Sequence, residues 1–174
     1  MKYQCRAQCA VETGYGENIS EVGSESYFAK KPYDSKYRGT GYMQMTYTYA
    51  YQAYAIFKAL EAYPALGNDG VVYKNPASND SKTISNMYDK MVQVAKQKGY
   101  DIKSLTDIYD KGYVYVAANY AWDSAGYYWY VNGLNTVADS AKGKTDPVTR
   151  IVNKWTNTYN ERQTAYDKIK LVIK

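Results

Sequence analysis

Apolar residues recur along this chain at the spacing of one helix face, and glycines and prolines fall where such helices would stop. The clearest stripe is Ile84, Met87, Met91, Val94 and Ala95, which predicts a helix over 81–98 that Gly99 ends. A helix over 4–13 closes at Gly14, whose missing side chain suits a left-handed C-terminal position. Thr46 reads as the cap of a helix running to about Ala62, with Ala50, Ala53, Tyr54, Phe57 and Leu60 on one face and Pro64 beyond its end. Residues 114–131 are apolar around most of a helical circumference, the mark of one central buried helix, and Asn132-Gly133 ends it. Asp146-Pro147 is a cap followed by a first-turn proline, and Thr158-x-x-Glu161 is a capping-box pattern opening a last helix to about Val172. Between these lie polar connections, notably 20–41 and 66–80. The fold class is therefore mainly α.

Composition narrows the chemistry. The chain has no histidine, which removes the usual neutral-pH base and the commonest zinc ligand. Catalysis of the Ser-His-Asp and Cys-His types is excluded, and carboxylate chemistry is left as the natural hydrolytic route. At 174 residues the chain fits a single domain, 1–174, able to bury a substantial core. No apolar run has the length to span a bilayer, and the first residues lead into a mixed polar segment unlike a secretory signal. The net charge of +5 favours anionic partners, but the lysines are scattered and carry no nucleic-acid motif. The expected partners therefore include neither nucleic acid nor membrane, no metal or other cofactor is called for, and a monomer is expected.

Tyrosine is the outlier, at 23 residues against 2 Phe. Its ring packs at a core edge or against a sugar face while the hydroxyl stays wet. Most of these tyrosines read as structural; Tyr42, Tyr47 and Tyr49 are the better candidates for a groove. Cys5 and Cys9, four apart on one helix face, read as small buried residues, since a helix rarely accommodates the bridge.

Two glutamates, Glu12 and Glu21, lie nine positions apart on either side of Gly14 and Gly16. They need not share a face and are able to oppose each other. Glycoside hydrolysis requires that arrangement, one carboxyl protonating the leaving oxygen while the other activates water or attacks carbon. For an arbitrary pair the plainer reading is solvated surface charge.

The surroundings change that balance. Ala7-Gln8-Cys9-Ala10-Val11-Glu12-Thr13-Gly14 resembles the Ala-Gln-x-x-His-Glu-Thr/Ser-Gly signature of glycoside hydrolase family 19, the chitinases and related phage and bacterial cell-wall lysozymes. The segment from Tyr37 to Thr46 resembles that family's Gly-Arg-Gly-x-x-Gln-Leu-Thr motif, with Tyr49 at its tyrosine position. Ser124 to Trp129, Gly133 to Asp139, Val148 to Asn153 and Glu161-Arg162-Gln163 follow the order of its C-terminal half. The resemblance covers nearly the whole chain.

That resemblance implies a lysozyme-like, two-lobed helical domain with a short β element from about residues 20 to 45. It implies inverting hydrolysis of β-1,4 bonds in an N-acetylated glycan, with Glu12 as acid, Glu21 as base and Thr46 helping to hold the water. Gln44, Tyr49 and Asn153 match substrate-contacting positions, and Arg162 matches an arginine that orients the acid by charge pairing. Short length, basic charge and likeness to the bacterial and phage branch favour peptidoglycan over chitin. The expected setting is the bacterial cell wall, in the periplasm or outside the cell, reached through a holin or a secretion machine, or by an address in sequence lying upstream.

Three departures matter. Val11 stands in place of the histidine, Thr40 in place of the arginine between the glycines, and Lys154-Trp155 in place of Gly-Gly. Reduced activity is the expectation, with Trp155 filling part of the cleft and Thr40→Arg raising turnover. The alternatives are a chitinase, an antibacterial secreted effector domain with an immunity partner, and a weakened hydrolase that binds glycan without cutting it.

Overall fold

The computed structural model describes residues 2–76 and 80–173. It is mainly α-helical: α1 (Lys2–Glu12), α2 (Glu25–Phe28), α3 (Thr48–Ala62), α4 (Ser81–Lys98), α5 (Lys103–Asp110), α6 (Tyr113–Asn119), α7 (Ala121–Val131), α8 (Leu134–Ser140), α9 (Asp146–Val152) and α10 (Tyr159–Val172). Two 3-10 helices, Ser35–Tyr37 and Pro64–Asp69, lie in the connections. The β element expected over 20–45 reduces, among the described residues, to isolated bridge residues: Ser20, paired antiparallel with Thr40, and Met45. Among the described residues no helix is long and apolar enough to cross a membrane. Residues 77–79 of the loop expected over 66–80 lie outside the described residues.

The chain forms two compact units. The first gathers Met1–Glu21, Thr40–Gln44 and Tyr120–Lys174; the second gathers Val22–Gly39 and Met45–Asn119. In the first, α1 packs against α10 and α9, and α8 packs against α7 and α9. Cys9, Met43, Ala125, Trp129, Leu134, Ala138 and Val148 form its main core. Ala7 joins Ala165 and Tyr166 in a smaller cluster, against which Tyr3, Val11 and Ile169 pack. α1 thus presents one apolar side to α10 and another to the main core.

In the second unit α3 lies against α4 and α5, and burial extends around most of its circumference through Tyr51, Ala53, Tyr54, Ala55, Ile56 and Ala59. α4 spans the predicted residues, and Gly99 ends it at φ +69°, a conformation glycine adopts without a Cβ penalty. Tyr37 stacks on Tyr109 at 5.2 Å between ring centroids, and Tyr51 and Tyr88 meet that pair edge-on. Burial is the leading cause that pushes the Tyr37 and Tyr88 hydroxyls well above the usual tyrosine range. These tyrosines do the packing that Phe does elsewhere.

Several boundaries differ from the sequence reading. The single central helix expected over 114–131 is broken at Tyr120 (φ −134°, ψ 16°), where the chain passes from the second unit to the first. Nor is it buried throughout, since Val114, Trp122 and Tyr130 stand exposed. Aromatic and tyrosine-rich faces look apolar by composition whether they line a core or meet water. Thr46 does not cap α3; the helix starts at Thr48 because Tyr47, at φ +77°, is pinned by its N–H to the Tyr37 carbonyl at 3.0 Å. The capping box at Thr158 is not made either, because the Thr158 hydroxyl accepts from Arg162 Nε at 3.1 Å. α9 begins one residue earlier than expected, with Thr145 flanking it.

Candidate active site

The candidate acid sits at the end of α1, on a face that is polar and yet buried. Gln4, Gln8 and Glu12 succeed one another at four-residue intervals, so they stack along one side of the helix. Gln4 Nε2 donates to the Lys144 carbonyl at 2.7 Å, and Gln8 Nε2 donates to Thr149 Oγ1 at 2.9 Å. Thr149 in turn donates to the Thr145 carbonyl at 3.0 Å, while Gln163 Oε1 accepts from the Thr145 N–H at 3.0 Å. Buried amides generally need partners for their donors and acceptors, and α9 and α10 supply both for Gln8, whereas Gln4 Oε1 is buried with no hydrogen-bond partner among the described residues.

Arg162 is the centre of this arrangement. Its side chain is 2% exposed, and all three of its nitrogens donate: Nε to Thr158 Oγ1, Nη1 to Gln8 Oε1 at 2.5 Å, and Nη2 to Glu12 Oε1 at 2.6 Å. The Glu12 side chain is 14% exposed. Its second oxygen, Oε2, takes no hydrogen bond among the described residues. The carboxyl is therefore oriented through one oxygen and presents the other.

Two further groups feel Glu12. Burial, and then the Glu12 charge, raises the Tyr128 hydroxyl above its ordinary pKa; that hydroxyl donates to the Ile151 carbonyl at 3.2 Å. The thiol of Cys9 is raised by the hydrogen bond it shares with Cys5, then by burial and in part by Glu12, while the same bond lowers Cys5. Cys9 is buried in the core and Cys5 is half-buried; both are free thiols.

After Glu12 the chain reverses sharply. Gly14, Tyr15 and Gly16 take φ of +56°, +62° and +95°, and Thr13 Oγ1 accepts the Gly16 N–H at 3.0 Å. The left-handed Tyr15 costs about 1–2 kcal/mol, which the surrounding hydrogen bonds offset. The segment then reaches the Ser20–Thr40 bridge, and Glu21 follows it directly, half-buried at the margin of the same unit. Gln44, at φ +52°, donates its amide to the carbonyls of Gly41 (3.1 Å), Asn18 (3.3 Å) and Ile19 (3.4 Å). It ties the segment between the two glutamates to the 40–44 stretch.

Asn153 is exposed just past α9, where its N–H donates to the Thr149 carbonyl at 2.7 Å. Glu12 and Arg162 are thus in direct contact, and Gln44 and Asn153 attach by hydrogen bonds to the segments around them. Thr46 and Tyr49 belong to the second unit. Tyr49 lies in the first turn of α3, stacked on Tyr47 at 5.4 Å, and burial with the nearby Tyr47 raises its hydroxyl. It lines a cavity of about 350 Å³ with Gln52, Ser85 and Tyr109.

The departures have definite positions. Val11 packs on the α10 cluster. Thr40 is fully buried, its hydroxyl 3.2 Å from that of Ser20, so an arginine there would have to displace its surroundings. Trp155 does not fill a cleft; it is 88% exposed, with Lys154 Nζ 5.0 Å from its ring centroid. Gln8, Thr149 and Tyr128 were absent from the candidates read from sequence. The four-residue spacing of Gln4, Gln8 and Glu12 is the signal that could have found the first of them. No family model matches this chain, and neither a curated protein nor a solved structure matches it.

Proposed function

We propose that this protein is an inverting glycoside hydrolase that cuts β-1,4 bonds in peptidoglycan. The observation that carries the reading is the Glu12 carboxyl: one oxygen is held by a buried guanidinium, and the other is left for a substrate oxygen. Fixing the acid before substrate arrives removes a reorganisation cost from the reaction. In this mechanism Glu12 in its protonated form delivers the proton from Oε2 to the glycosidic oxygen as the bond to the anomeric carbon breaks, and the carboxylate left behind pairs with Arg162. Glu21 takes a proton from a water that attacks that carbon from the opposite face. Arg162 keeps Glu12 in one orientation through both stages. Gln44 holds the backbone between the two carboxyls, and in this reading exposed Asn153 meets the sugar.

Purified peptidoglycan incubated with the protein, followed by mass analysis of the released fragments, tests this. Fragments ending in a reducing sugar support glycosidic cleavage; release of free peptides alone, or of nothing, overturns it.

A second reading is a glycan-binding protein on the same scaffold. It is favoured by Thr40, whose buried hydroxyl supplies no positive charge where the resembled family has one. Retention on insoluble cell walls without any loss of their turbidity would establish that reading. An effector domain neutralised by an immunity partner would share the hydrolytic chemistry.

A further inference from the structure

The second unit holds an open cavity of about 810 Å³ formed by α2, the 3-10 helix Ser35–Tyr37 and the chain around them. Arg38 lines it in an unusual state of restraint. Its guanidinium carbon lies 3.8 Å from the Phe28 ring centroid and 4.2 Å from that of Tyr113. Nε donates to the Ser35 carbonyl at 2.7 Å, and the Arg38 carbonyl accepts the Tyr51 hydroxyl at 2.7 Å. Its two terminal nitrogens have no hydrogen bond and no ion pair among the described residues.

A guanidinium held close to two rings, with Nε spoken for and both terminal nitrogens open, is a fork matched to a planar carboxylate. The side-chain freedom that such a grip normally costs has already been lost in folding. Lys31 lines the same cavity, and so do the carboxylates of Glu25 and Asp34. Asp34 is occupied in part, since its Oδ1 accepts the Lys36 N–H at 2.8 Å. Two positive and two negative side chains suit a ligand carrying both carboxylate and amino or amide groups; a dense polyanion would meet repulsion there.

We propose that this cavity is a carboxylate-binding site for the stem peptide of peptidoglycan, gripped by Arg38, and that it discriminates peptidoglycan from chitin. The inference rests on the proposed substrate class. Chitin carries no carboxylate, whereas the peptide substituents of the wall polymer do. Discrimination through a charged fork follows from leaving the guanidinium unpaired when the neutral polymer binds.

Titration calorimetry on the full chain tests the site without turnover. The probes are N-acetylmuramyl-L-alanyl-D-glutamate, its fully amidated form, a neutral N-acetylglucosamine tetramer and inorganic phosphate. Saturable binding of the acid form is expected, weakened about tenfold or more by amidation of the ligand or by Arg38→Gln. Tetramer binding should be the same in wild type and Arg38→Gln. The amidated ligand works on the wild-type protein, so the comparison survives even if Arg38→Gln fails to fold. No binding of the acid form, equal binding of acid and amide, or phosphate binding as tightly as the muropeptide each overturns the site. A protein that binds the acid muropeptide and cuts no wall refutes the hydrolase reading alone. One that cuts walls while binding acid and amide equally refutes the cavity's role alone.

Discussion

Arg162 Nη2 lies 2.6 Å from Glu12 Oε1 across a sequence separation of 150 residues, so the candidate acid is positioned by a helix from the far end of the chain. Both groups also serve stability, because Gln8 and Thr158 spend their polar atoms on the same guanidinium. A variant here must be judged for folding before its activity is interpreted.

Glu12→Gln keeps the size of the side chain and removes the acidic proton. Wall hydrolysis should fall by about 10²–10⁴-fold, and the melting temperature should also fall, because an amide oxygen still accepts from Arg162 but no longer balances the charge of a guanidinium that is 2% exposed. Near wild-type turbidity loss in this variant would remove Glu12 from the acid role.

Arg162→Met should cost about 3 kcal/mol, since it leaves Gln8 Oε1 unpaired inside the unit and strips the partly buried Glu12 of its cation. Urea denaturation followed by circular dichroism measures it. A change below about 0.5 kcal/mol, the size expected of surface substitutions, would show that the ion pair is not structural.

The glycine at position 41 is fixed by geometry. At φ +72° a side chain is already strained, and a Cβ there would sit 2.4 Å from Ser124 Oγ and 3.1 Å from the Ala121 carbonyl. Gly41→Ala should destabilise by roughly 2–4 kcal/mol, combining backbone strain with overpacking. Thr40→Arg, on the neighbouring buried residue, should likewise lower the melting temperature; it should not raise turnover. An unchanged melt together with faster hydrolysis would contradict the burial of Thr40.

Acid should loosen the second unit through Asp107. Lys103 and Lys111, which is 2.8 Å away, hold its carboxyl below the ordinary value of 3.8, first through the hydrogen bond from Lys103. A carboxyl lowered in the folded state binds fewer protons than in the unfolded chain, so its contribution is complete above about 3.8 and fades as pH falls below that. Asp107→Asn should therefore flatten the pH dependence of the melting temperature in that acid range. An identical acid slope in wild type and variant would show that the two lysines do not act on stability.

Helix periodicity located the elements whose apolar stripes face a core, and α4 with its Gly99 stop is the clearest case. It failed where tyrosine dominates, since Tyr127 is buried and Tyr130 is exposed on the same helix and composition treats them alike. Short helices such as α5 and α8 escaped notice because one or two turns give too few positions to establish a period. At the candidate site, the resemblance singled out Glu12 and Arg162, and the structure shows them in contact. Gln8 was not legible as a buried polar residue, since burial of an amide depends on partners more than a hundred positions away.

The pairing of α1 with α10 also sets an order of events during synthesis. The carboxyl of Glu12 leaves the ribosome 150 residues ahead of the guanidinium that orients it. Until α10 emerges, Gln8 and Glu12 have no Arg162 to receive, and a chain interrupted before residue 158 carries the candidate acid without its support. Assembly of the candidate site thus becomes a checkpoint: a product truncated before α10 has a disarmed carboxyl, and only a chain translated through α10 can orient it.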